Sequence, residues 1–483
     1  MTTPNSGTAR HSEIKRHALQ VWDQAIQEVA ADKLIRNAVT VDEHALHLRS
    51  TTGHQQQIRL DGVQRICIAG AGKAAAAMTE GLLSVLGLQK PGLDVELCGQ
   101  INGMEGQSLP DLRITFSKVR DPGCNLPTEL AVRQTRRMKR LVAKMGAGDL
   151  CLWLISGGGS AMLCEPAAGV TLQDKLTITQ SMQQQGASIR QLNTVRKCLS
   201  AVKSGGLADS CNAEQQVTLL LSDVMGPDLS TISSGPTIVE CKPFTQAIRL
   251  TEQFGQSTAA AERILKFLRA QQKLPQRTFA PASDAAQNSF QPAPCLIGNN
   301  QSVVQAAARQ VESLGYRVIE LASLPEESVD ETVERLLAQL ELVLNEYPCR
   351  PFGIISGGEP TLKLVEPEIR GRGGRNQQLL LQLVMQLGQL DSLLSRSFCF
   401  LSGGTDGEDG VTNTAGAICD HADLQNSFSP PEVAKTAVSQ NDSHTFWSDR
   451  GCTLPWYPTR TNVCDLRLLL VGPSLQVGPG QGS

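Results

Sequence analysis

The sequence has few aromatic residues and no excess of positive charge. Aromatic residues make up 4% of the 483 positions, and 44 Lys and Arg stand against 47 Asp and Glu, for a formal net charge of −3. A protein that binds nucleic acid needs basic residues to neutralise phosphates, and one that binds single strands also needs aromatic surfaces for stacking. The composition therefore argues against nucleic acid as a partner.

Long hydrophobic runs and paired cysteines are also missing. No apolar stretch reaches the roughly 18 residues that a membrane-spanning helix needs, so we expect no membrane association. The 14 cysteines are scattered without a CxxC pair, which is typical of core thiols in a reducing compartment rather than of a zinc site. A cytoplasmic location is therefore expected, with a mitochondrial one as the alternative because the N-terminus carries several basic residues.

Histidine is absent from most of the chain. The seven histidines all lie before residue 55 or after residue 420. Any catalysis in the Gly-rich middle of the sequence must therefore proceed without an imidazole base.

The first half of the sequence indicates a doubly wound α/β domain over residues 12–280. Residues 12–48 are predicted to be helical. After them, apolar runs that predict buried strands alternate with stretches that predict helices, and this alternation indicates a mostly parallel sheet covered on both faces. The predicted strands include residues 63–70, 149–155 and 217–221.

A polar segment rich in Pro and Gln separates this region from a second α/β pattern. The segment covers residues 271–294 and is predicted to be a linker between domains. A smaller α/β domain with a mixed sheet is predicted over residues 292–473, and the short strand Cys295–Gly298 is expected to open it.

A short apolar strand followed by Ser-Gly-Gly occurs three times, at residues 156–158, 356–358 and 402–404. Two glycines after a strand free the backbone, so successive N–H groups are predicted to point beyond the carboxyl end of the strand. Open α/β sheets bind ligands at that edge. The first motif is the longest and is interpreted as a cradle for a carboxylate or a phosphate. It consists of Ser156, Gly157, Gly158, Gly159 and Ser160.

Lys73 follows the first predicted strand and has two interpretations. It stands after Gly70-Ala71-Gly72 at the predicted start of a helix, a position that favours contact with phosphate. The spacing Gly70-x-Gly72-x-x-Ala75 also fits a loose dinucleotide-binding fingerprint. That second interpretation needs an acidic residue at the end of the next strand, and the nearest acids, Asp94 and Glu96, fit this requirement poorly.

Other cations stand beside glycines further along the chain. Arg196 and Lys203 are seven residues apart and are predicted to share one helix face, where they would clamp a phosphate; a solvated basic face is the alternative. A loop with three arginines precedes a predicted helix and is interpreted as a site for phosphate oxygens. Its candidate residues are Gly373, Gly374, Arg375 and Asn376.

Two aspartates are candidates for metal binding or proton transfer. Asp223 follows the predicted strand 217–221, where a carboxylate can orient Mg²⁺ or accept a proton from a hydroxyl group. Asp406 follows the third Ser-Gly-Gly motif and is interpreted as a second metal-orienting acid. An EF-hand calcium loop does not fit, because the glutamate that closes such a loop is absent.

In their order along the chain, these motifs resemble the class II glycerate kinases, whose C-terminal domain is named after the MOFRL motif. The resemblance covers roughly residues 15–472. The motifs that carry it are GAGKA, LISGGGSAML, LNTVRKCLSAVKSGG, LSDVMGPD with SSGP, ISGGEPT, GRGGRNQQ, LSGGTDGEDG with AGAI, NDSHTF and TNVCD.

The resemblance implies ATP- and Mg²⁺-dependent phosphorylation of D-glycerate, in a cleft between the two domains. The lysine and arginine proposed as the active-site pair of that family match Lys73 and Arg375. ATP and D-glycerate are therefore the expected partners, and the chain is expected to be a monomer or a homodimer. Neither the resemblance nor the residues decide between the 2- and the 3-hydroxyl group as the acceptor.

Two other functions stay open at this stage. The loose fingerprint around Gly70 allows an NAD(P)-dependent oxidoreductase that acts on a small hydroxy acid. The second alternative arises from a departure near the C-terminus, where relatives usually place a glycine on each side of a threonine. This chain has Tyr457-Pro458-Thr459-Arg460 instead, so a non-catalytic relative that binds a small anion is also compatible with the sequence.

Overall fold

The computed structural model describes residues 6–87, 95–104, 106–121, 126–224, 226, 228–255, 258–275, 294–387, 393, 395–427 and 431–474. The chain forms two compact units. We call Ala31–Ser222 together with Pro227–Ile297 the N-terminal unit. We call Met1–Ala30, Asp223–Gly226 and Gly298–Ser483 the C-terminal unit.

Helix α1, Ser6–Glu28, comes first along the chain and belongs to the C-terminal unit. The strands of the N-terminal unit are β1 Val39–Val41, β2 Ala45–Arg49, β3 Gln55–Arg59, β4 Arg65–Ala71, β5 Glu96–Met104, β6 Ile114–Arg120, β7 Asp149–Ser156, β8 Gln215–Leu221 and β9 Cys295–Gly298. Its helices are α2 Ala31–Ala38, α3 Ala75–Leu86, α4 Glu129–Val142, α5 Gly159–Met162, α6 Leu172–Gln184, α7 Ile189–Cys198, α8 Phe244–Phe254 and α9 Ala259–Gln272.

The main sheet of the N-terminal unit has the strand order β6-β5-β4-β7-β8-β9. The pairs from β6 to β8 are all parallel, and every residue of β7 is buried. This confirms the expected doubly wound sheet. The chain winds outward from β4 to β6 and then returns to β7, so the strand order reverses between β4 and β7. Such a switch point leaves a crevice at the carboxyl ends of the strands, where ligands of open α/β sheets bind.

The prediction of helix across residues 12–48 is wrong for its last part. Helix α2 ends at Ala38, and β1 and β2 then form a small antiparallel sheet with β3. The run Val39-Thr40-Val41 is β-branched, which favours a strand. In β2, Leu46 and Leu48 are buried on either side of the half-buried His47, a period of two that an extended chain produces.

The strands of the C-terminal unit are β10 Arg317–Leu321, β11 Phe352–Gly358, β12 Arg396–Gly404, β13 Thr414–Asp420, β14 Thr453–Pro455 and β15 Asp465–Ser474. Besides α1, its helices are α10 Asn300–Ser313, α11 Val329–Glu346, α12 Arg375–Gln386, α13 His421–Ser427, α14 Pro431–Ser439 and α15 Ser443–Ser448. The sheet order is β10-β11-β15-β12-β13-β14. Because β10 pairs in parallel with β11 and the remaining pairs are antiparallel, the sheet is mixed, as expected.

Two elements differ from the predicted division of the chain. Helix α1 packs inside the C-terminal unit: Trp22 is buried against Gly403 of β12, and Lys15 pairs with Asp423 at 2.7 Å. An amphipathic helix must bury its apolar stripe wherever a complementary face exists, and sequence order does not decide where that is. Strand β9 does not open the second domain but extends the N-terminal sheet beside β8.

Most of the predicted linker lies outside the described residues, which are interrupted between 275 and 294. In the ranges that the structure describes, no helix is both long enough and apolar enough to cross a bilayer.

Candidate active site

The turn after β4 and the turn after β7 meet at the switch point of the N-terminal sheet. The amide of Lys73 donates to the carbonyl oxygen of Gly157 at 2.9 Å, and the amide of Ala74 donates to the Oγ of Ser156 at 3.0 Å. The side-chain stem of Lys73 lies along Gly158, where a methyl group would stand 3.0 Å from its Cγ. The predicted lysine and the predicted glycine cradle therefore form one structure.

Gly72 is required by this contact. Its φ is 137°, and a Cβ at this position would lie 2.1 Å from the Oγ of Ser156. A side chain at residue 72 would therefore both strain the backbone and displace the turn after β7.

We expect Gly72→Ala to lower the free energy of unfolding by about 2–5 kcal/mol, because backbone strain and steric overlap add. Urea unfolding followed by circular dichroism measures this loss. Gly169→Ala is the matched control, because Gly169 has a φ of 89° and open space around it, so it should lose only about 1–2 kcal/mol. Equal losses at the two positions would contradict a close contact between the turns.

Lys203 lies beneath the same turn and is almost completely buried, with 2% of its surface exposed. Its Nζ donates to the Oγ of Ser160 at 2.8 Å, to the Oγ of Ser234 at 2.9 Å and to the carbonyl oxygen of Ser233 at 3.3 Å. Burial, reinforced by the charge of Lys175, lowers the pKa of Lys203 well below its ordinary value. Ser233 and Ser234 both have positive φ angles, 52° and 62°. This backbone conformation is strained, and in it both residues contact Lys203.

Arg196 and Lys203 do not share one helix face as predicted. Helix α7 ends at Cys198, and Ala201 then donates to the carbonyl oxygen of Glu165 at 2.9 Å. Lys203 therefore lies in the turn after the helix. The charge of Arg196 nevertheless contributes to the lowered pKa of Lys203, so the two cations lie in the same part of the N-terminal unit.

In the C-terminal unit, Arg375 is held by two carboxylates. It makes a bidentate ion pair with Asp465, at 2.7 Å and 2.8 Å, and a single contact of 2.9 Å with Glu359. Burial opposes the charge of the guanidinium, but Asp465 and Glu359 outweigh this effect and raise the pKa of Arg375 well above its ordinary value. The position of the guanidinium is thus fixed before any ligand binds.

The second and third Ser-Gly-Gly motifs do not form free loops as predicted. Their glycines belong to β11 and β12, and both strands pair with β15, so that Gly358 and Gly404 stand on either side of Asp465. Their N–H groups lie within a sheet because an antiparallel strand fills the space between β11 and β12. Of the three repeats, it is the first, at residues 156–158, whose glycines leave the strand.

The loop before α12 is shaped by Asp409. This side chain is 1% exposed, and its carboxylate accepts the backbone amides of Asn376 at 3.0 Å and Gln377 at 2.9 Å, which caps the start of the helix. Gly374 gives it room, because a Cβ there would lie 2.2 Å from the Cγ of Asp409. Similarly, a Cβ at Gly373 would lie 2.4 Å from the Oγ of Ser443.

The side chain of Asn376 makes its contacts inside the C-terminal unit. It is fully buried, its Nδ2 lies 3.4 Å from Asp409, and its Oδ1 accepts the hydroxyl of Ser402 at 2.6 Å. The structure thus gives Asn376, like Gly373 and Gly374, a packing reason for its residue type, and a phosphate contact from these three residues stays a prediction.

Residues 462–464 contact Asp223 and the residue that precedes Asp406. The Nδ2 of Asn462 is 3.4 Å from a carboxylate oxygen of Asp223, and the thiol of Cys464 donates to the carbonyl oxygen of Asp223 at 2.9 Å. Thr405, next to Asp406, contacts the same segment through the amide of Val463. One oxygen of Asp406 accepts the amide of Glu408 in its own turn.

Several acidic side chains surround Cys464 in the part of the C-terminal unit that holds Arg375. Burial, followed by the negative charges of Glu359, Asp223 and Asp465, raises the pKa of its thiol well above the ordinary value. Across the described ranges, no group of three or more His, Cys, Asp or Glu side chains is arranged to hold a metal ion. A metal at Asp223 would therefore take its remaining oxygen ligands from water or a bound substrate, which is common for Mg²⁺.

At residues 457–460 this chain lacks the two glycines expected from its relatives, and the side chain of Tyr457 lies against α1. The hydroxyl of Tyr457 lies 3.5 Å from Asp23 on α1, and burial, together with the charge of Asp23, raises its pKa to about 12. Arg460 has a φ of 63°, a conformation that glycine would adopt without strain.

Sequence reasoning missed several residues of these sites. Asp465 and Glu359 hold Arg375, Ser233 and Ser234 contact Lys203, and Asp409 caps α12. Asp465 belongs to the TNVCD motif, and the two serines belong to the SSGP motif. The motifs therefore identified the right segments of the chain but not the contacts that their side chains make.

The fold and the sites define an enzyme-like α/β protein with cations gathered at strand ends. Residues 17–269 match a family model described as a domain of unknown function, DUF4147, and residues 352–465 match the MOFRL family. A glycerate kinase from Mus musculus is 31% identical, over 95% of this chain and 94% of its own length. A protein from Agrobacterium vitis, named as a proposed hydroxypyruvate reductase, is 31% identical over 84% of this chain and 87% of its own length.

A solved structure has the same architecture. The crystal structure of a glycerate kinase from Thermotoga maritima is similar with a TM-score of 0.72 and 27% identity, covering 95% of this chain and all of that one. The chain belongs to the glycerate kinase family with a C-terminal MOFRL domain, a family of kinases.

Proposed function

We propose that this chain catalyses the ATP-dependent phosphorylation of D-glycerate. The observation that carries the proposal is the contact between Lys73 and the glycine turn after β7, at the switch point where open α/β sheets bind ligands. Phosphoryl transfer requires mainly positioning and positive charge around the phosphoryl oxygens, and little covalent chemistry. The kinases among its relatives support this assignment.

We assign each site residue a role in the proposed reaction. Lys73 and Arg375 supply fixed positive charge to the transferred group, and Gly157 to Gly159 receive phosphate or carboxylate oxygens on their amides. Asp223 accepts the proton of the glycerate hydroxyl group or contributes to holding Mg²⁺, with Asp406 as the other metal-orienting acid. Bound Mg²⁺ neutralises negative charge on phosphate oxygens.

A hydroxypyruvate reductase is the second candidate, because two relatives carry that name. A dinucleotide site needs an acid at the carboxyl end of β5, next to Gly70. That end carries Asn102 and Gly103, whereas Glu96 pairs with Arg65 at the amino end of the sheet. Asp94 lies outside the described residues. The geometry of β5 therefore favours the kinase.

A coupled assay of ADP release tests the proposal. Purified protein with D-glycerate, ATP and Mg²⁺ should release ADP, and release should stop when D-glycerate is omitted. Oxidation of a reduced nicotinamide cofactor by hydroxypyruvate, in the absence of ADP release, would refute the kinase. Phosphorus NMR of the product then shows whether the 2- or the 3-hydroxyl group is phosphorylated.

A further inference from the structure

Lys175 is a buried cation that the proposed mechanism does not use. It lies on α6 with 5% of its surface exposed, and its Nζ lies 3.9 Å from the thiol of Cys164. Burial lowers the pKa of Lys175, and the charge of Arg196 adds to this effect. An ammonium group in such surroundings is costly unless an anion compensates it.

Two more cations share this part of the N-terminal unit. Arg196 lies on α7, where burial lowers its pKa, and Lys203 lies in the turn that follows. The carbonyl oxygen of Glu165, next to Cys164, accepts the amide of Ala201 at 2.9 Å, so the segment that leads to Lys203 lies beside the thiol that Lys175 contacts. Over the described part of the chain, no carboxylate lies within ion-pair distance of these three side chains. We call Lys175, Arg196 and Lys203 the cationic pocket.

The acids that stand nearby in the sequence are already paired with other cations. Asp174 binds Arg263 at 2.5 Å, Glu165 binds Lys139 at 2.7 Å and Arg136 at 3.2 Å, and Glu240 binds Lys197 at 2.5 Å. Lys242, another cation close to Lys175, donates to the carbonyl oxygen of Ser200. The positive charges of the cationic pocket are therefore available to pair with an anionic ligand.

We propose that the cationic pocket binds a polyphosphate group and that Lys175 is one of its ligands. A single carboxylate would compensate one of three charges, whereas two or three linked phosphates can compensate all of them. The hydroxyl of Ser160, which is not fully buried, already lies 2.8 Å from Lys203 and connects the pocket to the glycine turn after β7. That the polyphosphate is the chain of ATP rests on the proposed function; the binding of polyphosphate itself does not.

Titration calorimetry of the whole protein with sodium tripolyphosphate tests the pocket at fixed ionic strength. Lys175→Met keeps the length of the side chain and removes its charge, and we expect about 10- to 100-fold weaker binding of tripolyphosphate. Binding to the unchanged protein should also take up protons, seen as a dependence of the heat on the buffer, because a polyanion favours the charged form of Lys175 and Lys203. This uptake should shrink in the variant.

Thermal unfolding separates a ligand contact from a structural role. Without ligand, Lys175→Met should melt at the same temperature as the unchanged protein or higher, because the substitution removes a buried uncompensated charge. Tripolyphosphate should raise the melting temperature of the unchanged protein only. Lys139→Met, which breaks the pair with Glu165, should bind tripolyphosphate normally. Equal affinities of Lys175→Met and the unchanged protein, or a lower melting temperature of Lys175→Met without ligand, would overturn the proposal.

The two proposals can fail separately. Tripolyphosphate binding that depends on Lys175, in a protein that does not phosphorylate D-glycerate, would keep the pocket and reject the kinase. Phosphorylation of D-glycerate with the same KM for ATP in Lys175→Met would keep the kinase and reject the cationic pocket as the site of the ATP phosphates.

Discussion

Lys73→Met is expected to lower kcat/KM for D-glycerate phosphorylation by about 10²–10³, the usual loss when one charge-stabilising donor is removed from a transition state. Methionine keeps the stem that lies along Gly158 and removes only the ammonium group. The fold should therefore be retained, and the loss should appear mainly in kcat, because the charge on the phosphoryl oxygens matters most in the transition state. The coupled ADP assay gives both constants.

Lys33→Met, on the exposed side of α2 in the same unit, is the control and should leave kcat/KM unchanged. A Lys73→Met protein with the kinetics of the unchanged enzyme would remove Lys73 from the mechanism. A rise in KM for ATP with unchanged kcat would assign Lys73 to ground-state binding instead.

Arg375→Ala is expected to reduce both activity and stability. It leaves Asp465, which is 0% exposed, as an unpaired buried charge, and such a loss costs about 3 kcal/mol in the free energy of unfolding. Activity should fall by about 10²–10³ as well, because a fixed cation is lost. Unfolding in urea and the ADP assay measure the two losses independently.

A double variant distinguishes a catalytic arginine from one that only balances Asp465. Arg375→Ala with Asp465→Asn removes the charges of both partners, so most of the stability should return while the activity stays low. Recovery of both would show that Arg375 acts only through Asp465. Arg335→Ala, which breaks the comparable pair with Glu327 at 2.7 Å, should cost stability and leave turnover intact.

Local patterns were sufficient for the strands and helices that carry the main sheets. Strand β7 could be predicted because residues 149–155 are mostly apolar, which is typical of a buried parallel strand, and α3 because alanines follow a glycine turn. The same reasoning failed at residues 39–49, where a few β-branched residues decided against helix. It also failed for α1, whose apolar stripe fits the C-terminal unit although it comes first along the chain.

Motifs located the candidate sites but not their atomic roles. Lys73 and Gly158 stand 85 positions apart and meet because β4 and β7 are neighbours at the switch point. The three Ser-Gly-Gly repeats look equivalent in the sequence, yet two of them pair with β15, which arrives about 60 to 110 residues later. No sequence pattern indicated a role for Lys175, because a lysine in a polar stretch is expected at the surface until its burial is known.

The sequence by itself determined the α/β class, the position of the glycine turns and the family, because these depend on periodicity and on residue types at short spacing. Only the tertiary structure decided which charges are paired. Arg375 has two carboxylates around it and Lys175 has none, and that difference depends on distances between residues far apart in the chain. The burial that makes an unpaired charge costly is likewise a property of the packed fold.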